Sequence, residues 1–149
     1  TPSHLTDWGG NAERLNTDIN AGAYMLMHRD HGSTTGWREP RYEISSLNGL
    51  TNEFYPFVFS INCLTGKYNN SSQCFTEAFH RMGQGAVGLI AASETSYSFV
   101  NDTFVWGMLD GLWPDFDPGY GQARPGKLQE LFLDVGRHRI VAGVLHIAA

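Results

Sequence analysis

Short apolar runs alternate along the chain with stretches of helical period, and that alternation predicts an α/β layer fold. Residues 11–20 read as a helix, with Asn11 as N-cap and Gly22 as the stop. The run 23–28 reads as a strand, and the polar, Gly-containing stretch 30–36 as the loop at its carboxyl end. A second apolar run covers 54–62 and delivers Cys63 at its end. Residues 72–82 put Cys74, Phe75, Ala78, Phe79 and Met82 on one helical face. The run 86–92 is continuous in small and branched apolar residues, the pattern of a strand buried on both faces. A helix is expected over 103–112, a loop over 113–126 and a helix over 127–137, and the apolar ending 140–149 fits either helix or strand. Three clear strands are fewer than the roughly five or six of a complete doubly wound sheet. The expectation is therefore part of a larger unit, with strands before Thr1 and material after Ala149.

Composition narrows the classes. The 149 residues are 42% hydrophobic and 17% charged, enough for one domain with one core. A net charge of −5 argues against a nucleic-acid or anionic-membrane partner, since phosphate binding needs a basic face. No apolar stretch approaches the ~20 residues of a membrane span. The chain starts without Met and without a signal-like segment, which reads as an excised or processed piece. Two cysteines, Cys63 and Cys74, do not make a disulfide scaffold; they form one bridge or act as one reactive and one buried thiol. His4, His28, His80, His138 and His146 make no pair at metal-ligand spacing.

Chemistry in open α/β sheets collects beyond the carboxyl ends of the strands. His31 follows the first strand and Cys63 ends the second, 32 residues later, one crossover apart. If those strands are neighbours, the two side chains face each other across the crevice. A thiol needs a nearby base to present its thiolate at neutral pH. Gly32 lets a backbone N–H approach a substrate and, with the N–H of Cys63, form an oxyanion hole. Against this stands the plain reading of a buried thiol and a solvated loop histidine.

The local sequences favour the chemical reading. The segments His31-Gly32-Ser33 through Trp37, Asn62-Cys63-Leu64-Thr65, residues 74–79 and residues 91–97 resemble, in family order, the caspase-like superfamily of cysteine peptidases. Within it the chain resembles the gingipain family, from about residue 23 to 106. The resemblance implies a caspase-like open sheet of mostly parallel strands with helices on both faces, only part of it present. Residues 1–149 are then the C-terminal part of a catalytic domain. It puts His31 in the place of the general base, Cys63 in that of the nucleophile and Gly32 at the oxyanion position. Cys74 matches a position the family also fills with Cys and reads as buried packing. A third, acidic member of the site is implied upstream of Thr1, and Asp30 is not assigned to it.

Substrate-binding candidates are Asp102, Arg29 and Trp37. An acidic residue in the region of Asp102 lines the primary pocket of lysine-specific gingipains; a helix N-cap or a solvated loop is the other reading. Arg29 stands where gingipains have a small polar residue and either pairs with Asp102 or points to solvent. Trp37, Trp106 and Trp113 line subsites or pack in the core, with packing the better reading for at least two. The resemblance implies no cofactor for catalysis. A structural calcium ion is allowed at Asp115 and Asp117, though these lack EF-hand spacing and a plain loop is the stronger reading. The implied partners are a protein or peptide substrate and an upstream segment or second chain that completes the domain. The implied location is secreted or on a bacterial cell surface. The leading expectation is a cysteine endopeptidase, leaning towards basic residues before the scissile bond. Two alternatives are a sortase-like acyl transferase, told apart by products formed with added amine, and a silent interaction scaffold, told apart by labelling with a peptidyl electrophile.

Overall fold

The computed structural model describes residues 10–112. Helix α1 (Ala12–Asn20) is capped by Asn11, whose side chain accepts from the Arg14 N–H at 2.9 Å. It stops at Gly22, whose φ of +99° suits only a residue without Cβ. Strand β1 (Met25–Arg29) follows. The stretch expected as a polar loop folds instead into two short strands, β2 (Gly32–Ser33) and β3 (Gly36–Trp37). These pair antiparallel, and β3 pairs with β4 (Tyr42–Glu43) to make a small second sheet. Ser33 supplies the turn: its hydroxyl accepts from the Thr35 N–H and bonds the Thr35 hydroxyl.

A 3-10 helix covers Ile44–Gly49, an element with no periodic signal of its own. It is held by two asparagines one helical turn apart. Asn16 donates to the Ser46 carbonyl and Asn20 to the Gly49 carbonyl, at 2.9 and 3.0 Å. Strand β5 (Phe57–Ile61), helix α2 (Phe75–Arg81) and strand β6 (Gly88–Ala91) complete the main sheet, which is parallel with order β1-β5-β6. All three observed strands are shorter than the apolar runs that announced them. Cys74 is the N-cap of α2, not a member of its face, and is fully buried.

The core lies between the main sheet, the second sheet, α1 and α2. Ile19, Tyr42, Leu47, Val58, Phe75, Phe79 and Leu89 fill it. Its centre is a run of rings. Trp37 stacks on His28 with centroids 4.4 Å apart, and Tyr42, Phe75 and Phe79 continue the cluster at 5.4–6.4 Å.

The described residues divide into two compact units after Thr95. The second holds helix α3 (Ser98–Leu112), in which Asn101, Phe104, Val105 and Met108 form a buried stripe at helical spacing. It begins five residues before the expected start at Thr103. The Thr103 hydroxyl is satisfied by the Phe99 carbonyl at 2.8 Å, so this threonine sits inside the helix rather than at its cap. Residues 113–149, with the loop, helix and apolar ending expected there, lie outside the described residues.

Phe79→Ala removes a fully buried ring and is expected to destabilise the fold by about 3–5 kcal/mol in chemical denaturation. Tyr24→Ala, at a residue 76% exposed, is expected to change stability by less than about 0.5 kcal/mol.

Candidate functional site

Parallel pairing puts the carboxyl ends of β1, β5 and β6 at one edge of the sheet. The register matches Arg29 with Ile61, and two residues beyond each come His31 and Cys63. His31 is exposed and Cys63 half-buried. The two loops touch through Gly32. A Cβ there would lie 2.5 Å from Asn62 Oδ1, 2.7 Å from its Cγ and 2.9 Å from the Cys63 carbonyl oxygen. Only glycine lets the chains approach this closely.

The hairpin also sets the direction of the Gly32 N–H. Arg38 donates to the His31 carbonyl at 3.0 Å, so Gly32 and Trp37 form a non-hydrogen-bonded pair of the β2–β3 ladder. In such a pair the N–H points away from the partner strand. The Gly32 N–H is therefore not consumed by β3.

Cys63 sits between tight turns. The Asn62 N–H donates to the Ser60 carbonyl at 3.1 Å, and the Thr65 N–H to the Cys63 carbonyl at 2.8 Å. The second is a three-residue turn centred on Leu64, whose φ of +63° puts a leucine in the left-handed region. This is the rarer, strained form of the γ-turn. A non-glycine residue there costs on the order of 1–2 kcal/mol. The neighbouring chain holds it. Leu64 donates to the Glu94 carbonyl and Gly66 to the Ala92 carbonyl, which ties the loop to the segment after β6.

Helix α2 binds both loops at once. Its first N–H, from Phe75, donates to the Thr34 carbonyl in the β2–β3 turn at 2.8 Å. The next, from Thr76, donates to the Thr65 carbonyl at 3.1 Å, and the Thr76 hydroxyl donates to the same oxygen. Helix N–H groups that have no partner within the helix thus serve as tethers.

Beneath the loops lies a buried polar network whose donors and acceptors resolve completely. The Glu39 carbonyl can only accept, so His28 Nε2 carries the proton and donates to it at 3.1 Å. His28 Nδ1 then accepts from Asn62 Nδ2 at 2.8 Å. Trp37 Nε1 donates to Ser60 Oγ at 2.7 Å, and Asn62 Nδ2 also donates to that oxygen at 3.0 Å. Ser60 therefore gives its own proton to Thr65 Oγ1 at 2.9 Å. Thr65 donates to Asn62 Oδ1 at 2.7 Å. Burial pushes the His28 pKa below 6.5; its bond to Glu39 and the charge of Asp30 oppose this, and Arg29 adds to it.

The sequence-derived candidates fall into three groups. His31, Gly32 and Cys63 come together at one sheet edge. Trp37 is corrected: it is 3% exposed, stacked on His28 and bonded to Ser60, so it packs the core instead of lining a subsite. Arg29 is exposed on the face of β1 opposite His28. Asp102 is exposed within α3, past its first turn, which removes its reading as a helix N-cap. Cys63 and Cys74 are not bridged. Among the described residues no group of three or more His, Cys, Asp or Glu is placed to hold a metal ion, and none of their helices is long and apolar enough to cross a membrane. Asp115 and Asp117 lie outside the described residues.

Sequence reasoning missed Asn62, Ser60, Thr65 and His28. The available signal was Ser60 and Asn62 at alternate positions of an apolar strand end, which puts two polar side chains on one buried face.

Comparison with known proteins adds the lineage. The description "Peptidase family C25" matches residues 3–133. Lys-gingipain W83 of Porphyromonas gingivalis is 30% identical over 105 residues, covering 66% of this chain and 6% of that protein. Gingipain R2 of the same species is 31% identical over 81 residues, 50% of this chain and 11% of that protein. The crystal structure of the Arg-specific cysteine proteinase gingipain R superposes with a TM-score of 0.72 at 24% identity, over 89% of this chain and 32% of that one. The chain thus spans a small part of these relatives, and it has the caspase-like α/β fold of gingipain R.

Two outcomes are expected in solution. His28 should titrate below pH 6.5 and keep its Nε2–H tautomer, as read from the ¹⁵N shifts of its ring. Above pH 6.5 the folded and unfolded chains both carry it neutral, and its contribution to stability is fully present. As pH falls below that value the unfolded chain takes up a proton that the folded chain refuses, so stability drops. A His28 titration at or above 6.5 contradicts the network.

Proposed function

The chain belongs to peptidase family C25, and on that premise we propose that it is part of a cysteine endopeptidase in which Cys63 is the nucleophile and His31 its proton-transfer partner. The observation that carries this reading is the close packing of Gly32 on Asn62 and Cys63, between loops leaving paired strands at matched positions.

The steps follow from these groups. His31 takes the thiol proton, and the Cys63 thiolate adds to the carbonyl carbon of the scissile peptide. The oxyanion forms between the N–H groups of Gly32 and Cys63. On collapse the C–N bond breaks and the amine leaves with the proton from His31. Water, losing a proton to His31, then adds to the thioester, and the thiolate departs with the acid released. No step requires a metal ion.

Protein or peptide is the substrate class, and a further segment or second chain completes the domain. Support for that partner comes from the 32% of the gingipain R chain that this chain covers. Secretion or display on a bacterial surface is the location this reading carries, supported by the likeness to gingipains of Porphyromonas gingivalis. A preference for basic residues before the scissile bond is supported by relatives described as Lys-gingipain and as Arg-specific, and Asp102 is the residue offered as its pocket acid.

In the complete peptidase, Cys63→Ala and His31→Ala are expected to abolish peptide turnover. Cys74→Ala is expected to retain it while lowering stability by ~1 kcal/mol, the loss of one sulfur from a packed site. An active Cys63→Ala enzyme contradicts the assignment. Profiling a peptide library tests the pocket: selectivity for Lys or Arg should fall by roughly thirtyfold or more in Asp102→Asn, the lower bound for removing one member of a desolvated charge pair. Equal cleavage after neutral residues, unchanged by that substitution, removes Asp102 from the site.

A further inference from the structure

Asn62 is buried to 1% exposure at the end of an apolar strand, an expensive place for a carboxamide. Its three described bonds reach three different segments: His28 on β1, Ser60 on β5 and Thr65 beyond the Leu64 turn. Its oxygen and Cγ are also the nearest atoms to the position a Cβ of Gly32 would take. One side chain thus touches the loop of His31, the strand that leads to Cys63 and the turn that follows it. We propose that Asn62 is a positioning residue, whose carboxamide sets the gap between the Gly32 backbone and Cys63 and so places the oxyanion-binding N–H groups.

The inference rests on the reading of Cys63 and Gly32 given above. It assigns Asn62 no contact with substrate. The network is what gives the carboxamide a single orientation. His28 must accept because its other nitrogen donates to the Glu39 carbonyl, and with Asn62 then donating to Ser60 the hydroxyls of Ser60 and Thr65 follow in one direction. A flipped amide would set its oxygen against the His28 lone pair. The amide plane against Gly32 is therefore held by buried bonds to His28, Ser60 and Thr65.

This role separates two properties of the site. Alkylation of a thiolate by iodoacetamide forms no tetrahedral oxyanion, whereas amide hydrolysis passes through one. A displaced oxyanion hole slows the second reaction and spares the first. A misplacement of about 1 Å costs on the order of a hundredfold. Asn62→Ala leaves Gly32 without its packing partner. Asn62→Asp keeps the shape but, when ionised, cannot donate to His28; it regains the bond when either group is protonated.

The test uses the complete peptidase and compares kcat/KM on a peptide amide with the rate of Cys63 alkylation by iodoacetamide. Asn62→Ala is expected to lose ten- to a hundredfold in kcat/KM, mainly in kcat, with alkylation within about threefold of the parent. Asn62→Asp is expected to recover towards the parent as pH is lowered, while the Asn62→Ala deficit stays constant with pH. Unchanged turnover in both variants overturns the positioning role. So does a parallel loss of turnover and alkylation, which marks a general collapse of the loop. A Cys63→Ala enzyme that still turns over peptide is the distinct outcome that removes the underlying reading, and this inference with it.

Discussion

The chain after β1 lies against the chain after β5 with no room for a side chain between them, and much of the fold serves that contact. Gly32 presses on Asn62 and on the Cys63 carbonyl. The parallel register of β1 with β5 brings the two loops level. The second sheet turns the Gly32 N–H away from its own hairpin, and the first two N–H groups of α2 hold both loops from the far side. The strained Leu64 turn fits the same picture, since an unfavourable φ persists only where surrounding bonds determine it.

Polar groups in the core make this contact specific. Ser60, Asn62, Thr65 and His28 are all buried, with His28 stacked on Trp37. Unpaired, each would cost roughly 1–3 kcal/mol. Paired in one consistent direction, with the chain anchored at Trp37 and at the Glu39 carbonyl, they offset that cost and permit a single arrangement. An apolar replacement of the whole set could hold the strands together. It could not dictate which face of an amide meets Gly32.

Much of this was legible in the sequence because periodicity survives in it. The strand ending at Cys63, the helix after it and the Asn11 cap all stand close to where the pattern of apolar and capping residues put them. The His31-Gly32 and Cys63 blocks announced a caspase-like sheet, and the structural likeness to gingipain R agrees. The second sheet was not legible, because two-residue strands carry no period and read as a Gly- and Ser-containing loop. Trp37 was misread for the same reason: its burial follows from a hairpin that folds it back onto His28. The 3-10 helix depends on Asn16 and Asn20, whose partners lie about thirty residues away. The start of α3 lies before the expected one, and Asp102, read as a possible cap, stands inside the helix.

The proposed placement of the Gly32 and Cys63 backbones together against the reacting carbonyl is tested most directly by a crystal structure of the complete peptidase with a peptidyl aldehyde, since the aldehyde forms a hemithioacetal that mimics the tetrahedral intermediate. The account predicts a bond from Cys63 Sγ to the aldehyde carbon, the new oxygen about 2.7–3.1 Å from the N–H nitrogens of both Gly32 and Cys63, and a ring nitrogen of His31 within hydrogen-bond reach of the adduct. An adduct on another residue, or an oxygen turned away from Gly32, would contradict it.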